Sequence, residues 1–181
     1  MKLGSARHAD LDSIDWHILR LMQENCRLPL AKIGQLVGLS APSVMERVKK
    51  LEECGVITGY RAVLDGRLLG QDVTAFIGVS IGHPKTLGRF EKAVEALDDV
   101  LECHHVTGSH TILLKVKTSN TSSLEESISR IRALDGVTST ETMVVLSTRT
   151  ERSQLPLRGA EDAPRRERRN GHATPALRRA Q

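Results

Sequence analysis

The sequence predicts an α+β protein with a helical N-terminal part, followed by a small antiparallel sheet covered by two helices. Apolar residues recur every three or four positions up to about residue 55, which is typical of amphipathic helices. From Val73 onward they recur with period two, which is typical of a strand. A chain of 181 residues has room for two small domains. The predicted parts are a domain at 1–63, a linker at 64–72, a second domain at 73–151 and a tail at 152–181.

Three short helices are predicted in the first domain. Asp12 is a suitable N-cap for the first helix and Ser40 for the third, and Pro29 can open the second. Gly55 stands where a helix commonly ends. The apolar stripes comprise Ile14, Ile18, Leu21 and Met22, then Ile33, Leu36 and Val37, then Val44, Val48 and Leu51.

The second and third helices are joined by a short turn, Val37-Gly38-Leu39-Ser40. Its length suits two helices that meet at a steep angle, and Gly38 provides the backbone freedom. After the third helix, residues 56–63 are rich in β-forming types and predict a small wing or a strand that leaves the domain. The first domain is therefore predicted to be a three-helix winged helix-turn-helix.

Region 73–151 predicts strands and helices in the order βαββαβ, which is the ferredoxin-like arrangement. Ser122 and Glu125 predict a capping box for its second helix, which Gly136 would end. The predicted elements are a strand at 73–81, a helix opened at Pro84 and reaching Leu97, strands at 100–106 and 111–117, a helix from Ser122, and a strand at 137–147.

Two helices can cover only one face of such a sheet, yet both faces carry apolar residues. A large exposed apolar patch usually marks an interface, so we expect self-association through the uncovered face. A modestly apolar solvent face is the alternative. One face contains Ile112, Leu114 and Val144, and the other contains Phe76, Leu113, Met143 and Val145.

The cysteines and the apolar runs of the sequence indicate the cellular compartment. Cys26, Cys54 and Cys103 are odd in number and widely spaced, which favours reduced thiols over a disulfide framework. Charged residues stand where a signal peptide needs an apolar run, and no apolar stretch approaches twenty residues. We therefore expect a cytoplasmic protein that is neither exported nor inserted in a membrane.

The tail at 152–181 is rich in Arg, Pro, Ala and Gly and lacks apolar periodicity, which predicts disorder. It holds eight arginines against three acidic residues, so its net charge is +5, whereas the whole chain carries +4. It is either a basic arm attracted to phosphates or an inert solvated tail, and the sequence leaves both open.

In a helix-turn-helix the second helix of the pair lies in the major groove, so double-stranded DNA is the predicted partner. Arg47 can contact guanine or a phosphate, and Lys50 suits a phosphate. Pro42 and Met45 could touch thymine methyl groups, although Met45 is expected to belong partly to the core. Any amphipathic three-helix unit also exposes charged residues, so a purely structural role is the alternative. The predicted DNA contacts are Ser40, Pro42, Ser43, Glu46, Arg47 and Lys50.

The chain from Leu11 to about Glu151 resembles the Lrp/AsnC family of regulators, also called feast/famine regulatory proteins. The resemblance is long and covers both predicted domains. The residues that carry it are Leu11-Asp12-x-Ile14-Asp15-x-x-Ile18-Leu19, Arg27-x-Pro29, Leu39-Ser40-x-x-Ser43-Val44-x-x-Arg47-Val48-x-x-Leu51-Glu52-x-x-Gly55-Val56-Ile57-x-Gly59-Tyr60, Leu69-Gly70, Val106-Thr107-Gly108 and Leu113-Leu114-Lys115-Val116.

The resemblance implies a homodimer that assembles into larger even-numbered rings and an amino acid or related metabolite as effector. Many relatives have an acidic residue at the position of Thr111, where it could pair with a ligand's amino group. Thr111 cannot, so a keto acid, another metabolite or no ligand are alternatives, and the hydroxyls could simply solvate a tight hairpin. The effector residues implied are Gly108, Ser109, His110, Thr111, Thr140 and Thr142.

A cluster of Cys103, His104, His105 and His110 raises the possibility of a metal site or of catalysis. In a strand His104 points away from Cys103 and His105, and no acid is evident to orient a Cys–His pair. We therefore expect no metal, no cofactor and no catalytic residues. The favoured function is sequence-specific transcriptional regulation, with an architectural protein that wraps DNA as the alternative.

Overall fold

The computed structural model describes residues 9–157, and these divide into two compact units. One unit comprises residues up to Arg61 together with the segment that begins at Arg152, and the other is Ala62–Glu151. We call them the helical unit and the sheet unit. Of the tail at 152–181, predicted to be disordered, residues 152–157 are described and the rest lies outside the described residues. No helix among residues 9–157 is long and apolar enough to cross a membrane.

Three helices form the helical unit, as predicted: α1 (Ser13–Glu24), α2 (Leu30–Val37) and α3 (Ala41–Glu53). Asp12 caps α1 in a full capping box with Asp15, and Ser40 caps α3. The apolar stripes meet in one core whose most buried members are Ile18, Ile33, Val44 and Leu51.

The turn between α2 and α3 depends on two glycines. Gly38 ends α2 with φ of 73°, in the left-handed region that glycine adopts without strain. Gly34 is buried, and a Cβ atom there would overlap the carbonyl oxygen of Leu39. The missing side chain therefore lets the start of α3 pack closely against α2.

The predicted strand at 56–63 is wrong. Gly55, at φ of 74°, ends the chain's helical course after α3, and the backbone N–H groups of Val56 and Ile57 both donate to the carbonyl oxygen of Leu51, at 2.9 and 3.0 Å. These bonds hold the start of the segment against α3, so the N–H groups of these two residues are not available to a neighbouring strand. Further along, the hydroxyl of Tyr60 donates to Oε1 of Glu52 at 2.8 Å.

The sheet unit has the predicted βαββαβ order. Its four strands are antiparallel and lie in the order β2-β3-β1-β4. The elements are β1 (Val73–Ile81), α4 (Leu87–Glu95), β2 (Val100–His105), β3 (Ile112–Thr118), α5 (Thr121–Arg132) and β4 (Val137–Val144), with short 3-10 turns at Arg67–Leu69 and Pro84–Thr86.

One face of the sheet packs against the two helices. Its core includes Ile77 and Val79 of β1, Leu114 of β3, Phe90 of α4 and Ile131 of α5. The other face, which we call the open face, carries the side chains that alternate with these, including Phe76, Leu113 and Met143. Lys115 lies in its midst, with Nζ 3.3 Å from Oε1 of Glu102 and 2.6 Å from Oε1 of Glu151.

The predicted capping box of α5 is wrong by two residues. The N-cap is Asn120, whose side chain accepts from the backbone N–H of Ser123 at 2.9 Å, while Oγ of Ser123 accepts from the N–H of Asn120. Ser122 and Glu125 lie inside the helix. Asn120 has the extended backbone that an N-cap needs, with φ of −157°. The helix ends at Arg132, four residues before Gly136.

The chain enters and leaves the sheet at the same end. β4 is antiparallel to β1, and Val144 lies opposite Ala75 near the start of β1. The N–H of Val145 then donates to the carbonyl oxygen of Thr74 at 2.9 Å. The segment that enters β1 and the segment that follows β4 therefore lie at the same end of two neighbouring strands.

Candidate functional site

The predicted DNA-facing residues of α3 fall into two groups. Pro42, Glu46 and Lys50 are exposed and follow one another at four-residue spacing, so they form one row along the helix. Ser40 and Ser43 belong to the cap: the N–H of Ser43 donates to Oγ of Ser40 at 3.3 Å, and the two hydroxyl oxygens are 2.9 Å apart. Ser40 is therefore engaged in starting the helix.

Arg47 lies apart from that row, on the side of α3 that faces α1. Its Nη1 atom donates to Oδ2 of Asp12 and to Oδ1 of Asp15, both at 2.7 Å. Arg47 is three residues after the buried Val44 and one before the buried Val48, so it stands at the margin of the core rather than opposite it. The guanidinium ties α3 to the first turn of α1.

These contacts stabilise the charged forms of both partners. The pKa of Asp12 lies below its ordinary value because its carboxylate accepts from the backbone N–H of Asp15 and from Arg47. The same carboxylates raise the pKa of Arg47. The Asp15 side chain is only 3% exposed, so Arg47 neutralises a nearly buried charge. A contact with DNA through Nη1 would compete with this arrangement.

Met45 lies at the surface of α3 and not in the core. Its side chain is 55% exposed, contrary to the expectation that it belongs partly to the core. It adjoins the row at Glu46, and Lys49, also exposed, lies one turn further along with Nζ 3.7 Å from Oε1 of Glu53. The exposed side of α3 therefore offers an apolar side chain and charges of both signs.

In the sheet unit, His110 is the best-anchored of the predicted effector residues. Its Nε2 lies 2.8 Å from Oε2 of Glu141, and its Nδ1 lies 3.5 Å from the hydroxyl of Ser80. Its ring packs over Gly78, where a Cβ atom would overlap it. Gly78 and Glu141 are partners in the β1–β4 register and both face the open side of the sheet.

Thr111 also contacts the sheet itself. Its hydroxyl oxygen accepts from the N–H of Ile81 at 3.2 Å, and its own N–H donates to the carbonyl oxygen of Val79 at 3.0 Å. Gly108 and Ser109 lie before it in the connection between β2 and β3, both exposed, with Gly108 at φ of 120°. The connection is thus fixed to β1 at its far end and exposed at its tip.

Thr140 and Thr142 lie on the other side of the sheet. In the register with β1 they are opposite Val79 and Ile77, both of which face the helices. Nε of Arg132 donates to Oγ1 of Thr140 at 2.7 Å. Within one chain, therefore, the six predicted effector residues do not converge. His110 contacts the acidic residue Glu141. Because side chains alternate along a strand, the sequence could have placed Glu141 on the other face of the sheet from Thr140 and Thr142.

The cysteine and histidine cluster is divided in the way the strand pattern predicts. Cys103 and His105 face the helices, and Nε2 of His105 is 3.3 Å from Oε1 of Glu91, whereas His104 faces the open side beside Glu102. Burial, Glu91 and Glu95 raise the pKa of the Cys103 thiol, which disfavours the thiolate. Residues 9–157 contain no group of three or more side chains arranged to hold a metal ion.

Two family models match this chain. Residues 11–52 match the AsnC-type helix-turn-helix domain, and residues 74–155 match the Lrp/AsnC ligand binding domain. The first range contains α1, α2 and all but the last residue of α3, and the second contains nearly all of the sheet together with the segment after β4.

Known regulatory proteins are similar in sequence to most of this chain. A transcriptional regulator of Bacillus subtilis, YezC, is 41% identical over 76% of this chain and 95% of its own length. The regulatory protein AsnC of Haemophilus influenzae is 34% identical over 75% of this chain and 91% of its own.

The solved structure of a transcriptional regulator from Neisseria meningitidis, in complex with L-Met, superimposes with a TM-score of 0.77. It is 28% identical over 81% of this chain and 96% of its own. The proteins that match are DNA-binding transcriptional regulators, not enzymes. The chain belongs to the Lrp/AsnC family of transcriptional regulators.

Proposed function

We propose that α3 enters the major groove of double-stranded DNA and that the row Pro42, Glu46 and Lys50 faces the bases and phosphates. The observation that carries this proposal is the exposure of that row on a helix whose opposite side is fixed in the core by Val44 and Leu51. In a helix-turn-helix the second helix presents its outer side to the base edges.

Individual roles follow from side-chain chemistry. Lys50, near the end of α3, neutralises a phosphate, and Met45 and Pro42 offer apolar contact to thymine methyl groups. Ser43 donates to a phosphate or a base while Ser40 holds the cap. Nη1 of Arg47 already bonds Asp12 and Asp15. The DNA contact that we propose for Arg47 therefore uses Nη2 and Nε.

We propose that the protein acts in the cytoplasm as a homodimer formed through the open face, with larger even-numbered assemblies built from it. Met143 is 46% exposed there, beside Phe76 and Leu113, and such an apolar patch favours a self-complementary partner. A dimer would present two copies of α3 to successive major grooves, about 34 Å apart, and so favours a pseudo-palindromic site.

The effector we propose is an amino acid or a related small metabolite, bound at the β2–β3 connection. The L-Met complex of the Neisseria relative supports the amino-acid class. Since His110 and the two threonines of β4 lie on opposite sides of the sheet, we infer that a complete site needs residues from more than one chain. Thr111 brings no charge to an ammonium group, so keto acids belong in the same test.

The test is a footprint of the full-length protein on its own upstream DNA at near-physiological salt, with and without amino acids and keto acids. We expect a discrete, phased footprint that one compound changes. Lys50→Gln is expected to weaken binding and lower the salt slope by about 1. The matched control is Lys92→Gln on α4, an exposed lysine of the sheet unit, which leaves binding unchanged.

Two outcomes would contradict the proposal. Protection that covers all DNA indifferently to sequence would replace the regulator with an architectural protein. A specific footprint that responds to none of the compounds would retain DNA recognition and remove the proposed effector class.

A further inference from the structure

The guanidinium of Arg47 is held by only one of its nitrogen atoms. Nη1 donates to Oδ2 of Asp12 and to Oδ1 of Asp15, both at 2.7 Å, which uses the two N–H groups that Nη1 carries. A guanidinium has five N–H donors, so three remain on Nε and Nη2. Among residues 9–157 these donors have no hydrogen-bond partner, and the Arg47 side chain is 29% exposed.

The remaining donors of Arg47 form a fork. The N–H of Nε and one N–H of Nη2 are parallel and lie along one edge of the planar guanidinium, whereas Nη1 lies outside that edge. Such a fork fits two acceptors that stand side by side, as in a phosphate or in the O6 and N7 atoms of guanine. Arg47 also lies one turn before Lys50 of the exposed row, so the fork borders the side of α3 that we propose faces DNA.

The two carboxylates that hold Arg47 are themselves fixed. Oδ1 of Asp12 accepts from the backbone N–H of Asp15 at 2.8 Å, and Oδ2 of Asp15 accepts from the N–H of Asp12 at 3.2 Å. Each carboxylate therefore uses one oxygen for the capping box of α1 and the other for Arg47. Because the capping box is part of the helix start, the guanidinium has a rigid support.

The charge of this cluster favours guanine over phosphate. Two carboxylates stand against one guanidinium, a net charge of −1 for Asp12, Asp15 and Arg47. The lowered pKa of Asp12 keeps its carboxylate ionised at neutral pH. A phosphate at the fork would meet this excess of negative charge, whereas the edge of guanine is uncharged and offers two acceptors.

We propose that Asp12 and Asp15 are positioning residues for DNA recognition, which hold Arg47 so that its Nε and Nη2 atoms bind O6 and N7 of one guanine in each half-site. This inference rests on the proposed function and narrows the contact of Arg47 to a base. An arginine side chain loses rotational freedom when it binds, and here the carboxylates impose that loss during folding. Such ordering in advance strengthens binding by about threefold to tenfold.

The first experiment uses the full-length protein and the DNA site that its footprint identifies. Each base pair of the site is replaced in turn, and affinity is measured for the parent and for Asp12→Asn. The substitution keeps the cap, since an asparagine oxygen accepts from the N–H of Asp15, but its amide nitrogen cannot accept from Arg47. We expect the parent to discriminate against replacement of one G·C pair in each half-site, and Asp12→Asn to reduce that discrimination by about threefold to tenfold.

Asp10→Asn is the matched control. It removes the same charge from an exposed residue two positions before Asp12, and it leaves the discrimination unchanged. Equal discrimination by Asp12→Asn and the parent would overturn the positioning role. Absence of any specific footprint for the parent would instead overturn the proposed function.

Arg47→Lys separates guanine from phosphate, because it keeps the positive charge beside Asp15 and loses the fork. We expect it to abolish discrimination at that one base pair, and Asp12→Asn to cause no further loss of discrimination in the Arg47→Lys background. Weakening by Arg47→Lys that is uniform across all base pairs would identify a phosphate contact and overturn the guanine assignment. An equal effect of Asp12→Asn with and without Arg47 would show that Asp12 acts on folding alone.

Discussion

The Nη1 atom of Arg47 lies 2.7 Å from Oδ1 of Asp15, a carboxylate that is only 3% exposed. The same Asp15 accepts from the backbone N–H of Asp12 in the capping box of α1. One guanidinium therefore stabilises a helix start and joins two helices of the DNA-binding unit. Its substitution is expected to affect folding before it affects DNA.

Arg47→Ala is predicted to lower the free energy of unfolding by about 1–3 kcal/mol, because Asp15 keeps its buried charge and loses its cationic partner. Urea unfolding at neutral pH measures this. Lys50→Ala, on the exposed row of the same helix, serves as the control and changes stability by less than about 0.5 kcal/mol. Equal stability of the two variants would leave Arg47 as a surface residue available to DNA.

Asn120→Ala is predicted to cost about 1 kcal/mol of stability, since the N–H of Ser123 loses its acceptor. Ser122→Ala, two residues along, has little effect because the hydroxyl of Ser122 lies outside the capping box. Thermal or urea unfolding of the two variants decides between the observed cap and the one expected from sequence. A larger loss for Ser122→Ala would contradict the observed start of α5.

Gly78→Ala is predicted to destabilise the sheet unit by about 1–3 kcal/mol, because the new Cβ atom overlaps the His110 ring. His110→Ala removes the ring and is expected to restore most of that stability in the double variant. The coupling energy from a cycle of urea denaturation measurements is the readout. Additive effects would mean that the ring can move away from Gly78 at no cost.

The phenol of Tyr60 is predicted to lose its proton at a higher pH than an ordinary tyrosine. Partial burial and the hydrogen bond to the Glu52 carboxylate raise the pKa of Tyr60 to about 12. Tyr60 is the only tyrosine in the chain, so near-ultraviolet absorbance follows it directly. Its stabilising contribution is complete below the unfolded pKa of about 10 and is lost as pH rises through about 12.

Glu52→Gln provides the matching control for this titration. The variant keeps an oxygen near the phenol but removes the negative charge, so the pKa of Tyr60 is expected to fall toward its ordinary value. Wild-type ionisation near pH 10 would contradict the hydrogen bond between Tyr60 and Glu52.

Periodicity predicted the five α-helices and the four strands of residues 9–157, and it also predicted one strand that is absent. The stretch after Gly55 has strand-forming residues, but a strand needs a neighbour, and the N–H groups of Val56 and Ile57 bond Leu51 instead. The sequence predicted the cap of α5 at Ser122, whereas Asn120 has the extended backbone of the N-cap. Neither choice is visible in local composition.

The site was harder to predict than the fold because its contacts join distant positions. The helical pattern of α3 predicts that Arg47 contacts DNA, whereas its partners Asp12 and Asp15 lie at the start of α1. In β4, alternation alone separates Thr140 and Thr142 from Glu141. The contact of His110 with Glu141 depends on how the β2–β3 connection folds over Gly78, which no spacing rule supplies.

Gln23 of α1 forms hydrogen bonds with Gln154 and Leu155, and these contacts also set an order of assembly. Gln23 and Leu155 are 132 residues apart, and the whole sheet unit lies between them. During synthesis the three helices leave the ribosome early, but Gln154 and Leu155 are made only after β4. A nascent chain therefore carries a DNA-binding unit that stays incomplete until the domain proposed to sense the effector has been synthesised.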